Sequence, residues 1–136
     1  MLTASVLLTA SCDTWLHVCI EVGTGRAKLT SVEMAEAIRS IDRFIAEENL
    51  DCRPIEGPIG MPAEETSFYE TRYCVDPSED RVRVEFALAK DRFVVELTDT
   101  GASEPDFMTR TRETLSDEFR SQFGDDRVNV THDCYK

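Results

Sequence analysis

The sequence lacks any long hydrophobic run, and this absence excludes a helix that crosses a bilayer. Such a helix needs about 20 consecutive apolar residues, and no stretch of the 136 residues approaches that length. Basic residues are also scarce, since 15 lysines and arginines stand against 27 aspartates and glutamates, a formal net charge of −12 at pH 7. Because so acidic a chain is repelled by phosphate groups, the composition disfavours nucleic-acid binding and polybasic contact with lipid headgroups.

Motifs of common catalytic and cofactor sites are missing as well. No G-x-S-x-G elbow occurs, and the Gly-Thr-Gly at 23–25 lacks the third glycine of a dinucleotide loop and the Gly-Lys-Ser/Thr ending of a P-loop. There is no D-x-D-x-D-G calcium loop. Acidic pairs such as Glu47-Glu48 and Asp125-Asp126 are typical of a solvated surface in a chain of this composition. We therefore expect a protein that is not an enzyme and uses no cofactor.

Cysteine is the residue type that the chain has in excess. Five cysteines are many for a cytosolic protein of this size, and an odd number leaves one without a partner inside the chain. They are Cys12, Cys19, Cys52, Cys74 and Cys134.

The opening twelve residues, MLTASVLLTASC, combine an apolar stretch from Leu2 to Ala10 with small residues directly before Cys12. An apolar stretch of about 7–15 residues followed by small residues is typical of an export signal. The ending Thr9-Ala10-Ser11-Cys12 resembles the lipobox of bacterial lipoproteins. This resemblance implies that residues 1–11 are removed and that Cys12 carries lipid, which places a lipid-anchored protein in the periplasm or cell envelope.

The alternative interpretation is a short buried strand followed by an ordinary thiol, in a cytoplasmic protein. Export is favoured because, without Cys12, four cysteines remain and can form two disulfides in an oxidising compartment. Three connectivities are possible. Strand alternation favours Cys19–Cys74 together with Cys52–Cys134, since each of these pairs is expected to share one side of a sheet.

Hydrophobic periodicity predicts two helices and five strands in the order β-α-β-β-β-α-β. The expected strands cover 14–22, 67–75, 82–88, 93–97 and 127–135, and the expected helices run from a cap at Thr30 to Asn49 and from a cap at Ser103 to Phe123. Residues 52–66, rich in proline and glycine, are expected to form an extended irregular connection. The predicted fold is α+β, a mainly antiparallel sheet with two helices packed on one face, and residues 12–136 are expected to form a single domain.

Function is expected to lie in a protein–protein surface on the sheet face away from the helices. An exposed aromatic pair among charged residues is typical of an interface. The residues expected there are Trp15, His17, Glu21, Phe68, Glu70 and Arg72. We therefore expect an exported, lipid-anchored, small acidic binding protein of immunity, inhibitor or envelope accessory type, with a basic protein partner.

Two alternatives stay open. One is a cytosolic adaptor or regulatory domain with reduced thiols. The other is a metal-binding protein, because His17-Val18-Cys19 and His132-Asp133-Cys134 repeat a His-x-Cys pattern whose four side chains suit tetrahedral zinc. The alternation of the two strands places the two pairs on opposite sides of the sheet, which disfavours the metal site.

Overall fold

The computed structural model describes residues 16–25, 28–56, 70–76, 79–99 and 106–132, and these residues form six strands, two α-helices and one 3₁₀ turn. The strands are β1 (Leu16–Val22), β2 (Asp51–Glu56), β3 (Glu70–Asp76), β4 (Glu79–Leu88), β5 (Phe93–Asp99) and β6 (Val128–Thr131). The helices are α1 (Ser31–Glu47) and α2 (Asp106–Phe123), and the 3₁₀ turn is Asp125–Arg127.

All six strands form one antiparallel sheet in the order β2-β3-β4-β5-β1-β6. Both helices pack on the same side of this sheet, which we call the front face, and the other side is called the back face. The predicted α+β class and layout are thus confirmed. Alternate residues of the three central strands supply most of the core on the front face, namely Val18, Ile20, Val22, Val84, Phe86, Leu88, Phe93, Val95 and Leu97.

Helix α1 begins where the sequence predicts. The Thr30 hydroxyl accepts a hydrogen bond from the Glu33 N–H at 3.1 Å, and the Glu33 carboxylate accepts one from the Thr30 N–H at 2.9 Å. This reciprocal pair satisfies two backbone donors that a helix start leaves unpaired. The buried side of α1 includes Ile41 and Phe44, and the Phe44 ring meets Phe86 of β4 edge to face at 6.4 Å.

Helix α2 packs beside α1 over the front face. Its Phe119 ring lies 4.9 Å from the Phe93 ring of β5 in an edge-to-face arrangement. Gly124 follows the helix with φ 97°, a conformation that ends a helix readily only at glycine. The Gln122 side chain donates a 2.6 Å hydrogen bond to the Ser40 hydroxyl of α1, so the two helices are joined by a polar contact as well as by the core.

Strand β2 is an element that the sequence prediction missed, because residues 51–56 form a strand rather than an irregular connection. Pro54 is compatible with this strand because β2 lies at one edge of the described sheet. Cys52 and Cys74 are directly opposed with Cα atoms only 4.0 Å apart, as in a pair that exchanges no backbone hydrogen bonds. The nitrogen of Pro54, two residues on, therefore points away from β3, where no donor is needed.

The disulfide pairing also differs from the expected one. Cys52 is bonded to Cys74, so the expected pairs Cys19–Cys74 and Cys52–Cys134 are wrong. The physical reason is that Cys74 lies on the front face, fully buried, whereas Cys19 lies on the back face of β1. Cys19 is itself in a disulfide whose partner lies outside the described residues.

Several expectations fall outside the described residues. These are the export signal at 1–11, the lipid on Cys12, the helix cap at Ser103, Cys134, and the aromatic residues Trp15 and Phe68. Neither of the two described helices has the length and apolar character needed to span a membrane.

Candidate functional site

The surface expected from the sequence does not form as one patch. His17 and Glu21 lie on the back face of β1, as expected, but Glu70 and Arg72 lie on the opposite side, in phase with Cys74. Arg72 is turned toward the helices, where it forms an ion pair with Asp42 of α1 and donates a 2.6 Å hydrogen bond to Glu70. The prediction that these four residues share a face is therefore wrong.

The error comes from the alternation of β3. Tyr73 and Val75 are the more hydrophobic residues by pattern, and this pattern predicts that they face the helices. In the structure they face the back, and Cys74 occupies the core position with none of its surface exposed. Cysteine is frequently buried in proteins, and this preference was the signal that the Cys74 side of β3 faces the helices.

A polar cluster occupies the middle of the back face. Glu85 of β4 and Glu96 of β5 are directly opposed on neighbouring strands, and Glu96 is in turn opposite Cys19 of β1. The Nδ1 atom of His17 lies 3.1 Å from a carboxylate oxygen of Glu96 and 3.5 Å from the Thr98 hydroxyl. Three titratable side chains from three adjacent strands are thus within one small area.

Glu85 is the member of this cluster with the clearest electrostatic perturbation. Burial raises the pKa of the Glu85 carboxyl above its usual value, and repulsion from Glu96 raises it further. The positive charges of Arg83 and His17 lower the same pKa, but to a smaller extent. The cluster is therefore a place where the charged form of a carboxylate is disfavoured.

Arg83, two residues before Glu85 on β4, contacts Tyr73 of the neighbouring strand β3. Its guanidinium donates to the Tyr73 hydroxyl, and the guanidinium carbon lies 5.7 Å from the centre of the Tyr73 ring. This combined hydrogen bond and cation–π contact fixes the arginine at the β3 side of the cluster.

The structure argues against the zinc alternative. Cys19 is disulfide-bonded and so has no thiolate to offer a metal. The Nδ1 atom of His132 donates a 3.1 Å hydrogen bond to the backbone oxygen of His17. Among the described residues, no group of three or more histidine, cysteine, aspartate or glutamate side chains is arranged to hold a metal ion, and Cys134 lies outside them.

The outer surface of the two helices and the 3₁₀ turn carries the second candidate feature, an excess of unpaired acid. Ion pairs engage four arginines around this layer: Arg43–Glu118, Arg72–Asp42, Arg110–Glu48 and Arg127–Glu33. Five exposed carboxylates have no ion-pair partner among the described residues: Glu36, Glu113, Asp117, Asp125 and Asp126. Two arginines of the same layer, Arg39 and Arg120, also have no ion-pair partner among the described residues, so the unpaired charge of the described surface is negative on balance.

Four of these five carboxylates lie in positions that are unfavourable for helix α2. Glu113 and Asp117 are one turn apart on α2, a spacing at which like charges destabilise a helix by about 0.2–0.5 kcal/mol. Asp125 and Asp126 follow the C-terminus of α2, where the helix carbonyls already present partial negative charge. The sequence prediction assigned Asp125-Asp126 to an ordinary solvated surface, because the sequence alone does not show which carboxylates form ion pairs.

Neither the protein-family models nor the curated proteins gave a match to this chain.

Proposed function

We propose that the protein is an exported, lipid-anchored binding protein that recognises a basic protein partner through the outer surface of its two helices. The observation that carries this proposal is the set of exposed carboxylates on that surface without a cation in the described part of the chain. Such charges repel one another and gain no stabilising ion pair from the described residues. A cationic partner would relieve that repulsion and be steered toward the surface.

The disulfide supports export. A bond between Cys52 and Cys74 is compatible with an oxidising, non-cytosolic location, because cytosolic thiols are kept reduced. A cytosolic adaptor with reduced thiols is the alternative function, and it requires both cysteines to be free. The lipid on Cys12 rests on the lipobox resemblance alone.

A charge-reversed pair of variants tests the surface. Asp117→Lys reverses one of the unpaired carboxylates on α2, and Asp51→Lys reverses an exposed carboxylate on β2, away from the helices. Both variants change the net charge by the same amount, so they differ only in position. Neither aspartate has an ion-pair partner in the described structure, and we expect both variants to fold.

The experiment captures envelope proteins on immobilised wild-type, Asp117→Lys and Asp51→Lys protein and then measures the affinity of the purified partner. We expect a basic protein that is retained by the wild type and by Asp51→Lys. Asp117→Lys should bind it about three- to fivefold more weakly, or roughly 0.5–1 kcal/mol, with a smaller difference at high salt. Equal loss for both variants, or a partner without excess positive charge, would refute the proposed surface.

A further inference from the structure

The opposed position of Glu85 and Glu96 is the starting observation. In an antiparallel pair, directly opposite side chains have Cβ atoms about 4.5–5.5 Å apart on one face, and like charges placed there are destabilising. The register of β4 and β5 places these two glutamates in that relation on the back face. Only 13% of the Glu96 side chain is exposed, so water screens the repulsion less than it would at an open surface.

His17 contacts the pair from the β1 side. Its Nδ1 atom lies 3.1 Å from Glu96, and 39% of its side chain is exposed, so solvent can reach the ring. The three side chains therefore lie close enough together for the charge of one to affect its neighbours.

The other charged and titratable groups of the back face are few among the described side chains. Tyr73 of β3, Arg83 of β4 and Glu21 of β1 lie on the strands of the cluster or next to them, and Asp51 and Arg53 lie farther away on β2. His132, which follows β6, donates a hydrogen bond to the backbone oxygen of His17. Arg83 is bound to Tyr73, and Glu21 lies opposite Val94, one row away from the pair. None of these groups separates Glu85 from Glu96 in the register of the sheet.

We propose that Glu85 and Glu96, with His17 beside them, form a proton-responsive cluster, in which acidification adds a proton from solvent to the glutamate pair. This proton makes the back face less negative by one unit of charge. The protonated pair can share a hydrogen bond across the two strands. This role goes beyond the proposed binding function and does not depend on it.

The direction of the effect on stability follows from Glu85. Its pKa is raised in the folded protein by burial and by Glu96, so the folded state binds the proton more tightly than the unfolded chain does. The stabilisation is fully present below the ordinary pKa of glutamate and is lost as the pH rises through the raised pKa of the folded state. Above that raised pKa the charged Glu85 therefore weakens the sheet.

Carbon-detected NMR of the side-chain carboxyl groups tests the cluster directly. We expect the titration midpoint of Glu85 in the wild type to lie above the usual range for glutamate. Glu96→Gln should move that midpoint down toward the usual range, because it removes the repelling charge. His17→Gln should move it up, because it removes a favourable charge. Glu21→Gln is the matched control on the same face, and it should leave the midpoint of Glu85 almost unchanged.

Two results would overturn the proposal. One is a wild-type Glu85 that titrates within the usual range, and this measurement needs no variant to fold. The other is a Glu96→Gln variant that moves the midpoint no more than Glu21→Gln does. As a second measurement, Glu85→Gln should be more stable than the wild type to denaturant at neutral pH, and the advantage should vanish below the ordinary pKa of glutamate. An advantage that does not change with pH would contradict the same idea.

Discussion

Gly23 ends β1 in a conformation that side chains other than glycine rarely adopt, with φ 78°. Its N–H donates a 3.0 Å hydrogen bond to the Arg127 oxygen, which ties the end of β1 to the 3₁₀ turn. A Cβ atom on this residue would lie 2.9 Å from the Cγ atom of Leu29 and 3.0 Å from the backbone oxygen of Asp91. Both the backbone conformation and the surrounding atoms therefore require glycine.

Gly25 offers a matched control for this position, because it has φ 75° but no atom within 4 Å of the point that a Cβ atom would occupy. We expect Gly25→Ala to lower the free energy of unfolding by about 1–2 kcal/mol, which is the cost of the backbone conformation alone. Gly23→Ala should lower it by at least about 1 kcal/mol more, because the packed neighbours must move. Urea denaturation of the two variants measures the difference. Equal losses of unfolding free energy would contradict this account, because they would show that the atoms around Gly23 move at no cost.

At the start of helix α1, the protonation of the Glu33 side chain affects how much the helix cap stabilises the fold. The pKa of Glu33 is lowered, and the largest cause is the hydrogen bond from the Thr30 N–H. Burial raises the same pKa by a smaller amount, and Arg127 lowers it further. A lowered pKa contributes stability above the ordinary pKa of glutamate, and this stability is lost as the pH falls through the lowered value. Because Glu33 is partly exposed, solvent screens the contribution.

We accordingly expect Glu33→Gln to be less stable than the wild type at neutral pH. The difference in unfolding free energy should become smaller as the pH falls below the ordinary pKa of glutamate. Glu36→Gln is the control on the same helix, since Glu36 is exposed and has no ion-pair partner among the described residues. It should show no comparable narrowing. Denaturant unfolding at a series of pH values between about 3 and 7 brackets the glutamate range, and a gap for Glu33→Gln that is constant with pH would contradict the linkage.

The β4–β5 hairpin shows what the sequence could predict. Its alternating residues and the short turn at Lys90-Asp91 were sufficient to place both strands, and the structure confirms them. The same register pairs Glu85 with Glu96, so the signal for the glutamate pair was already present in the predicted hairpin. The sequence prediction did not include this pair, because it placed the functional surface on the two strands next to tryptophan and phenylalanine.

Strands β2 and β3 show where sequence reasoning reached its limit. Proline argues against a strand in general, and only knowledge of the neighbouring strand reveals that Pro54 lies on an outward-facing edge position. The phase of β3 was ambiguous for a similar reason, because Tyr73 is amphipathic and can face either side of a sheet. The unpaired carboxylates on α2 were equally hidden, since ion pairing depends on contacts between distant segments.

Charge is distributed unevenly over the described part of the molecule. The net charge of the chain is −12. Among the described residues, exposed carboxylates without an ion-pair partner gather on the helical layer, whereas the back face holds the opposed and partly buried Glu85 and Glu96. The two faces are separated by the buried core of the sheet. We therefore assign partner recognition to the helical layer and proton response to the back face.

The Cys52–Cys74 disulfide joins the edge strand β2 to the rest of the sheet across a sequence separation of 22 residues. In the chain-entropy account, closing a loop of this length stabilises the folded state by about 3 kcal/mol. Such a bond is compatible with an oxidising compartment outside the cytosol. The oxidation state of these two cysteines is therefore tied to the proposed place of action.

Mass spectrometry of the protein from cells that express it with its native upstream region tests the export proposal most directly. Free thiols are alkylated at lysis, membrane and soluble fractions are separated, and peptides are mapped without reduction. We expect membrane-bound protein that lacks residues 1–11, carries lipid on Cys12 and yields a linked peptide containing Cys52 and Cys74. Full-length soluble protein that retains Met1 and is alkylated at Cys52 and Cys74 would contradict the proposal.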